Sequence, residues 1–164
     1  LEPEVFDHIP VGEKYDFSKQ LFPTLLEMDW PMYAQTIDGV WFDVGQPFEL
    51  IKAQKTLMER YEELPFSYPP THQITHSVLH ECGTVVGEHL MRSVIGLGCQ
   101  ISDDAHVADS LLMDGCIVEG GARIEHSVVG RDVIVPHGVS LRRCVVGDGA
   151  TLHSGRAYQN QKIA

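Results

Sequence analysis

The 164-residue chain has no run of eighteen apolar residues, the length a helix needs to cross a bilayer. Its first residues, Leu1-Glu2-Pro3-Glu4, have neither the basic start nor the apolar middle of a signal peptide, and no initiator Met. The chain therefore reads as a piece of a longer or processed protein. Basic residues are few: 12 Lys and Arg against 23 Asp and Glu, a net charge of −11 with the nine histidines neutral. So acidic a surface repels phosphate backbones and anionic lipid, which argues against nucleic acid and membranes as partners. Cysteine is scarce too. Four in a chain of this size make no disulfide framework, no Cys-x-x-Cys pair offers zinc a site, and the pattern suggests a reduced, cytoplasmic protein. Apolar residues are not scarce: 43% hydrophobic and 21% charged is ordinary globular usage, enough for one large domain or two small ones.

The second half carries a period. Aliphatic residues recur in steps of six, six and five, so that a triplet repeats every 17 residues: Ile95, Ile101, Val107; Leu112, Val118, Ile124; Val129, Val135, Leu141; then Val146 and Leu152. Extended backward, the register takes in Val78, Thr84 and Leu90, with Thr84 a weak member. Smaller residues hold fixed places behind the aliphatics: Cys82, Cys99, Ala105, Cys116, Ala122, Val133, Val139 and Ala150 in the six-residue units, Ser93, Ser110, Ser127 and Cys144 in the five-residue units, with Glu88 and Arg156 as exceptions near the ends. Glycines such as Gly98, Gly115 and Gly121 fall near the expected corners, where a left-handed turn costs them nothing. This pattern resembles the hexapeptide repeat of left-handed parallel β-helices, in which three short strands form one coil and stacked coils bury the aliphatics in files. A single coil cannot bury its apolar edge, whereas a stack can. No 3.6-residue period competes between Ile95 and Leu152, and glycine there is too frequent for a helix. The expected fold is mainly β, a left-handed parallel β-helix of 17-residue coils with Ile95, Leu112, Val129 and Val146 in one core file, unbroken from Val78 to Leu152.

The same register explains residues that otherwise suggest chemistry. Cys82, Cys99 and Cys116 are 17 apart and should stack as small core residues with roughly parallel Cβ vectors, poor geometry for a disulfide. His89 and His106 are also 17 apart, with Arg123 next, and a nearby arginine disfavours a metal cation. Two further columns, Asp114-Arg131-Asp148 and Asp109-His126-Arg143, alternate in sign as a solvated face requires.

Residues 1–63 lack the period. Residues 5–10 read as a strand end or a short helix, and 16–26 as a capped helix. Strands are expected over 32–37 and 40–44 about an Asp38-Gly39 turn, and a helix from Pro47 to about residue 63 with Leu50, Ile51, Leu57, Met58 and Tyr61 on one side. The proline-rich stretch that follows cannot continue that helix. The expected divisions are 1–63, a linker at 64–75, the β-helix at 76–157 and a tail at 158–164.

Leu1-Glu2-Pro3-Glu4-Val5-Phe6, Asp16-Phe17-Ser18-Lys19 with Leu21-Phe22-Pro23, and Gly39-Val40-Trp41-Phe42-Asp43-Val44-Gly45-Gln46-Pro47 together resemble the closing part of a sugar-phosphate nucleotidyltransferase. These are the NDP-sugar pyrophosphorylases, including mannose-1-phosphate guanylyltransferases and glucose-1-phosphate adenylyltransferases, many of which carry a left-handed β-helix after this segment. The resemblance implies that residues 1–63 are a small α+β remnant of a Rossmann-like catalytic domain. It implies an enzyme joining an NTP to a sugar 1-phosphate with Mg²⁺ and releasing pyrophosphate. Asp43, in the Trp-x-Asp-x-Gly position, would be a metal ligand of the intact enzyme, and Lys19 the candidate contact to the sugar phosphate. A carboxylate suits that role because Mg²⁺ takes hard oxygen ligands.

Residues 1–76 contain no glycine-rich turn between strand and helix to cradle a triphosphate, so no catalytic residue is assigned within the chain and the chain alone is expected to be inactive. The β-helix then serves oligomerisation or regulation, with a homo-oligomer as the usual outcome. Three other readings fit the repeat: a non-catalytic regulatory subunit of the same family, a hexapeptide acyltransferase, and a zinc hydratase-like β-helix with interfacial histidines. Acyltransferases of this class generally need a long loop leaving a coil, and no interruption occurs here.

Overall fold

The computed structural model describes residues 2–60 and 89–164, together with the backbone of 73–74 and 77–79. The chain divides into two compact units, 1–40 and 41–164.

The larger unit is a parallel β-solenoid built from strands of two or three residues. One face (face A) stacks Val94–Ile95, Leu111–Leu112, Val128–Val129, Val145–Val146 and Lys162–Ile163. A second (face B) stacks Gln100–Ile101, Ile117–Val118 and Ile134–Val135. The third (face C) stacks Leu90–Met91, His106–Ala108, Arg123–Glu125, Ser140–Arg142 and Ala157–Gln159. Strands this short are stable only because each pairs with the coils above and below. The inward file Ile95, Leu112, Val129, Val146 is 1%, 0%, 0% and 2% exposed, and the other aliphatic files join it in one core. At a rung spacing of about 4.8 Å, burying each such side chain contributes roughly 1.5–3 kcal/mol.

The five-residue units close with a hydrogen-bonded ladder. Ser110 N–H donates to Ser93 Oγ, Ser127 N–H to Ser110 Oγ, and Cys144 N–H to Ser127 Oγ, at 3.0–3.1 Å. Each hydroxyl in turn donates to a carbonyl two residues earlier, on Met91, Ala108 and Glu125. A buried hydroxyl is thus satisfied on both sides, and it ties each coil to the next. Cys99, Cys116 and Cys144 are free and buried. Hydrogen bonding with Cys99, with burial second, holds the Cys116 thiol far above its usual range, as befits an inert core residue. Cys82 and Thr84 lie outside the described residues.

The structure departs from the expected register at both ends. Val78 pairs with Val94 and Leu79 with Ile95, a step of 16, so Leu79 rather than Val78 is in backbone register with Ile95 and the 17-residue register is not unbroken from Val78. Residues 73–74 pair antiparallel with 77–78, where a linker was expected. At the other end Leu141 pairs with Tyr158 and Val146 with Ile163, so residues 158–163 form a further coil where the sequence suggested a tail. The Leu141 file changes there from aliphatic to aromatic at Tyr158, which conceals the period.

Pro47–Glu59 forms a helix (α2) opened by Pro47, as expected, and it belongs to the solenoid's unit. Ile51 packs on the outward side chains Leu111 and Val128, with Leu50, Val94 and Met113 around them.

The smaller unit is helical and irregular. Residues 5–10 resolve as the end of a 3₁₀ helix, Pro3–His8, and the capped segment as a wide turn, Phe17–Leu21, running into a helix (α1), Phe22–Glu27. Asp16 Oδ1 accepts from Ser18 N–H and Lys19 N–H, both at 2.9 Å, which is the cap the sequence suggested. Val5, Leu21 and Leu25 are its buried core. The expected strands at 32–37 and 40–44 are absent: both stretches are irregular, with Tyr33 94%, Ile37 77% and Trp41 76% exposed. A strand needs a ladder partner, and no described segment provides one.

Candidate functional site

Asp43 is exposed in an irregular segment, and a Cβ built on Gly45 would lie 3.8 Å from its Oδ1. Gln46 is extended, and its carbonyl accepts from Glu49 N–H at 3.0 Å as α2 begins. Asp43 is therefore carried a few residues ahead of a helix that is itself fastened to the solenoid. Among the described residues no three His, Cys, Asp or Glu side chains come together to hold a metal ion, so Asp43 alone does not make a Mg²⁺ site. Lys19 is exposed on the first helical turn of the other unit, its backbone N–H engaged by Asp16. Glu2 and Glu4 are exposed as well.

The most developed polar site is one the sequence did not single out. Asp109 is 4% exposed and is gripped by Arg92 at 2.8 and 2.6 Å and by Lys55 Nζ of α2 at 2.8 Å. His126 Nε2 stands 3.8 Å away. Hydrogen bonding from Arg92, then from Lys55, holds the Asp109 carboxyl well below the usual carboxylate range in spite of burial, so it remains ionised. Beside this cluster a cavity of about 400 Å³ opens between α2 and the solenoid, lined by Phe48, Ile51, Lys52, Lys55, Thr56 and Glu59 and by His126 and Arg143.

The column through this site has an unusual backbone. Arg92, Asp109, His126, Arg143 and Asn160, each 17 residues from the last, all have positive φ, between 45° and 53°. Asn, Asp and His are the non-glycine types most often found in that conformation; for Arg it carries a strain of roughly 1–2 kcal/mol. One signal in the sequence did announce the helix above it. Four successive face A strands have two adjacent apolar residues, Val94-Ile95, Leu111-Leu112, Val128-Val129 and Val145-Val146, so that stretch of the face is apolar on both sides and needs an outer cover. Face C at the same depth shows His106, Arg123 and Ser140 outward instead. The 54-residue separation of Lys55 from Asp109 left no local trace.

The histidine column forms as expected: His89 and His106 rings stack at 4.3 Å and 6°, with Arg123 paired to His106 on the next coil. In the other charge column Asp114 Oδ1 accepts from Leu97 N–H at 2.9 Å and Asp148 Oδ1 from Arg131 N–H at 2.7 Å. The carboxylates there act as corner caps. The Arg131–Asp148 ion pair, 3.9 Å with both side chains 62% exposed, adds little.

Short stacked coils, an aliphatic file and a small-residue file define a hexapeptide-repeat protein. The profile of the GlmU-like C-terminal hexapeptide family matches residues 69–157, more than half of the chain, and the chain belongs to that family. It is similar to a UTP–glucose-1-phosphate uridylyltransferase of Synechocystis sp., 39% identical over 60 residues, which is 37% of this chain and 16% of that protein. It is also similar to a probable mannose-1-phosphate guanylyltransferase 3 of Arabidopsis thaliana, 30% identical over 89 residues, 54% of this chain and 26% of that protein. Both relatives are nucleotidyltransferases, and the chain spans only these fractions of their length. No helix among the described residues is long and apolar enough to cross a membrane.

Proposed function

We propose that this chain is the C-terminal part of a sugar-phosphate nucleotidyltransferase, an enzyme that transfers a nucleotidyl group from an NTP to a sugar 1-phosphate and releases pyrophosphate. The observation that carries the reading is the union, in one compact unit, of the Trp41-x-Asp43-x-Gly45 segment, the α2 helix it leads into, and a hexapeptide solenoid. The uridylyltransferase and guanylyltransferase named among the relatives support the reaction class. Asp43 would supply one hard oxygen ligand to Mg²⁺, with the remaining ligands outside the residues described. Lys19 is the corresponding candidate for the sugar phosphate. The solenoid serves as the mount that fixes α2, and hence the Asp43 segment, and as a surface for self-association in a cytoplasmic homo-oligomer.

Pyrophosphate release distinguishes this reading from its rivals. The intact protein is expected to release pyrophosphate from UTP or GTP in the presence of glucose 1-phosphate or mannose 1-phosphate. Asp43→Asn is expected to cut that rate about 100-fold or more, the scale on which a residue positioning catalytic charge acts. The chain alone is expected to release none. Activity of the chain alone, or an intact protein inert to every such pair, overturns the proposal. Light scattering of the chain as a strict monomer at high concentration overturns the self-association role.

A further inference from the structure

We propose that the cavity between α2 and the solenoid is a binding site for a small phosphate-bearing ligand. The inference goes beyond the transfer reaction and does not depend on it. The chain as a whole is strongly acidic, at −11, yet the walls of this cavity carry Lys52, Lys55 and Arg143 against one carboxylate, Glu59, with His126 beside them. Lys55 is already committed to Asp109, and Lys52 lies 3.6 Å from Glu49 across exposed surface. Arg143 is different: its guanidinium has no hydrogen-bond or ion-pair partner among the described residues. A planar fork of N–H donors at the edge of a cavity matches a phosphate, which it can hold through two parallel bonds.

The backbone points the same way. The corner occupied by Arg143 needs a left-handed residue, and Asn160 fills the same corner one coil on at φ 53°. Arg143 at φ 52° takes up strain that Asn or Gly would avoid, so its side chain is the reason to look for a role there. His126 adds a ring N–H donor one rung from Arg143, about 4.8 Å away along the column. The apolar wall, Phe48 and Ile51, gives an organic substituent somewhere to lie. A volume of about 400 Å³ lies within the range of small-molecule sites. The same donors serve free phosphate and a phosphate monoester, and the apolar wall separates the two.

NMR titration of the full 164-residue chain with inorganic phosphate and with glycerol 2-phosphate, against chloride at matched ionic strength, tests the site. Saturable shifts confined to residues lining the cavity are expected. Tighter binding of glycerol 2-phosphate identifies an ester ligand, and equal binding identifies free phosphate; either supports the site. Arg143→Asn keeps the corner conformation and removes the fork, so the thermal midpoint should hold while affinity falls about tenfold, the scale of one charge-assisted bond. Arg131→Gln, an exposed cation outside the cavity, should leave affinity unchanged. Absence of saturable shifts, binding that survives Arg143→Asn, or equal losses in both variants overturns the proposal.

Discussion

The solenoid and the 1–40 unit are built from similar residue types but make opposite use of them. In the solenoid each aliphatic meets its counterpart on the neighbouring coils, and 21 buried residues among those described form one continuous core. Among the described residues of the 1–40 unit only Val5, Leu21 and Leu25 are buried, and Val11 and Tyr33 are almost wholly exposed. Repetition is what differs. A 17-residue coil adds its apolar edge to a surface that already matches it, whereas a helical turn beside irregular chain must find a partner of another shape. The solenoid's stability is therefore a sum over neighbouring rungs, and the smaller unit's rests on one local cluster.

Substitutions in each region sharpen this contrast. The largest effect is expected for Leu112→Ala, wholly buried between two rungs, at about 3 kcal/mol of unfolding free energy by urea denaturation. Leu25→Ala, in a cluster of three buried residues, should cost about 2 kcal/mol, read locally from amide exchange over residues 17–27. Equal costs with equal spread would erase the distinction.

Glycine gives the next test. A Cβ on Gly130 would sit 2.6 Å from Asp148 N and 2.7 Å from Gly147 C on the coil above. Gly130→Ala should cost about 2 kcal/mol. Gly147→Ala, one rung further, meets nothing closer than 3.4 Å and should cost under about 1 kcal/mol. At Gly12, in the smaller unit, nothing lies within 4 Å, and only the backbone strain of φ 82° opposes Ala, about 1 kcal/mol. A thermal midpoint for Gly130→Ala well below those of Gly147→Ala and Gly12→Ala ties the solenoid's cost to rung spacing rather than to glycine as such.

An effect of charge rather than of packing is expected where α2 meets the solenoid. Asp109→Asn keeps the left-handed corner and removes the charge that holds Arg92 and Lys55. With both cations partly exposed, a loss of about 1–2 kcal/mol at neutral pH is expected. Because the folded carboxyl titrates below its unfolded value of about 3.9, its contribution is present above that pH. It is lost as pH falls through the lower folded value. The gap between wild type and Asp109→Asn should accordingly be constant from neutral pH to about pH 5 and close below about pH 4. A gap that persists in acid means the two side chains differ in packing and not in charge.

The solenoid was legible because its period is enforced by geometry: a residue that leaves the file loses both rung neighbours. Ile95 through Val146, and the small residues behind them, could be placed from spacing alone. The period ceased to be legible where the physics permits substitution. Tyr158 fills a core place with a ring whose hydroxyl accepts from His153 N–H at 3.1 Å, and the first coil drops one residue without breaking the ladder. The strands expected at 32–37 and 40–44 show the converse. Alternation states only that a segment suits a sheet; the ladder depends on a neighbour that local sequence does not name. Asp109 and Lys55 were hidden for a related reason, since the solvated face on which the acid was expected is roofed by a helix 54 residues earlier.

That helix spans rungs as well as covering them. Ile51 rests on Leu111 of one coil and Val128 of the next, while Lys55 reaches Asp109. Duplicating a coil beyond Val128 would lengthen the stack and leave these anchors where they are. Inserting one between Leu111 and Val128 would pull them apart by a full rung. The helix thus works as a dovetail cut for two particular courses of masonry, and it fixes where this protein's solenoid can grow.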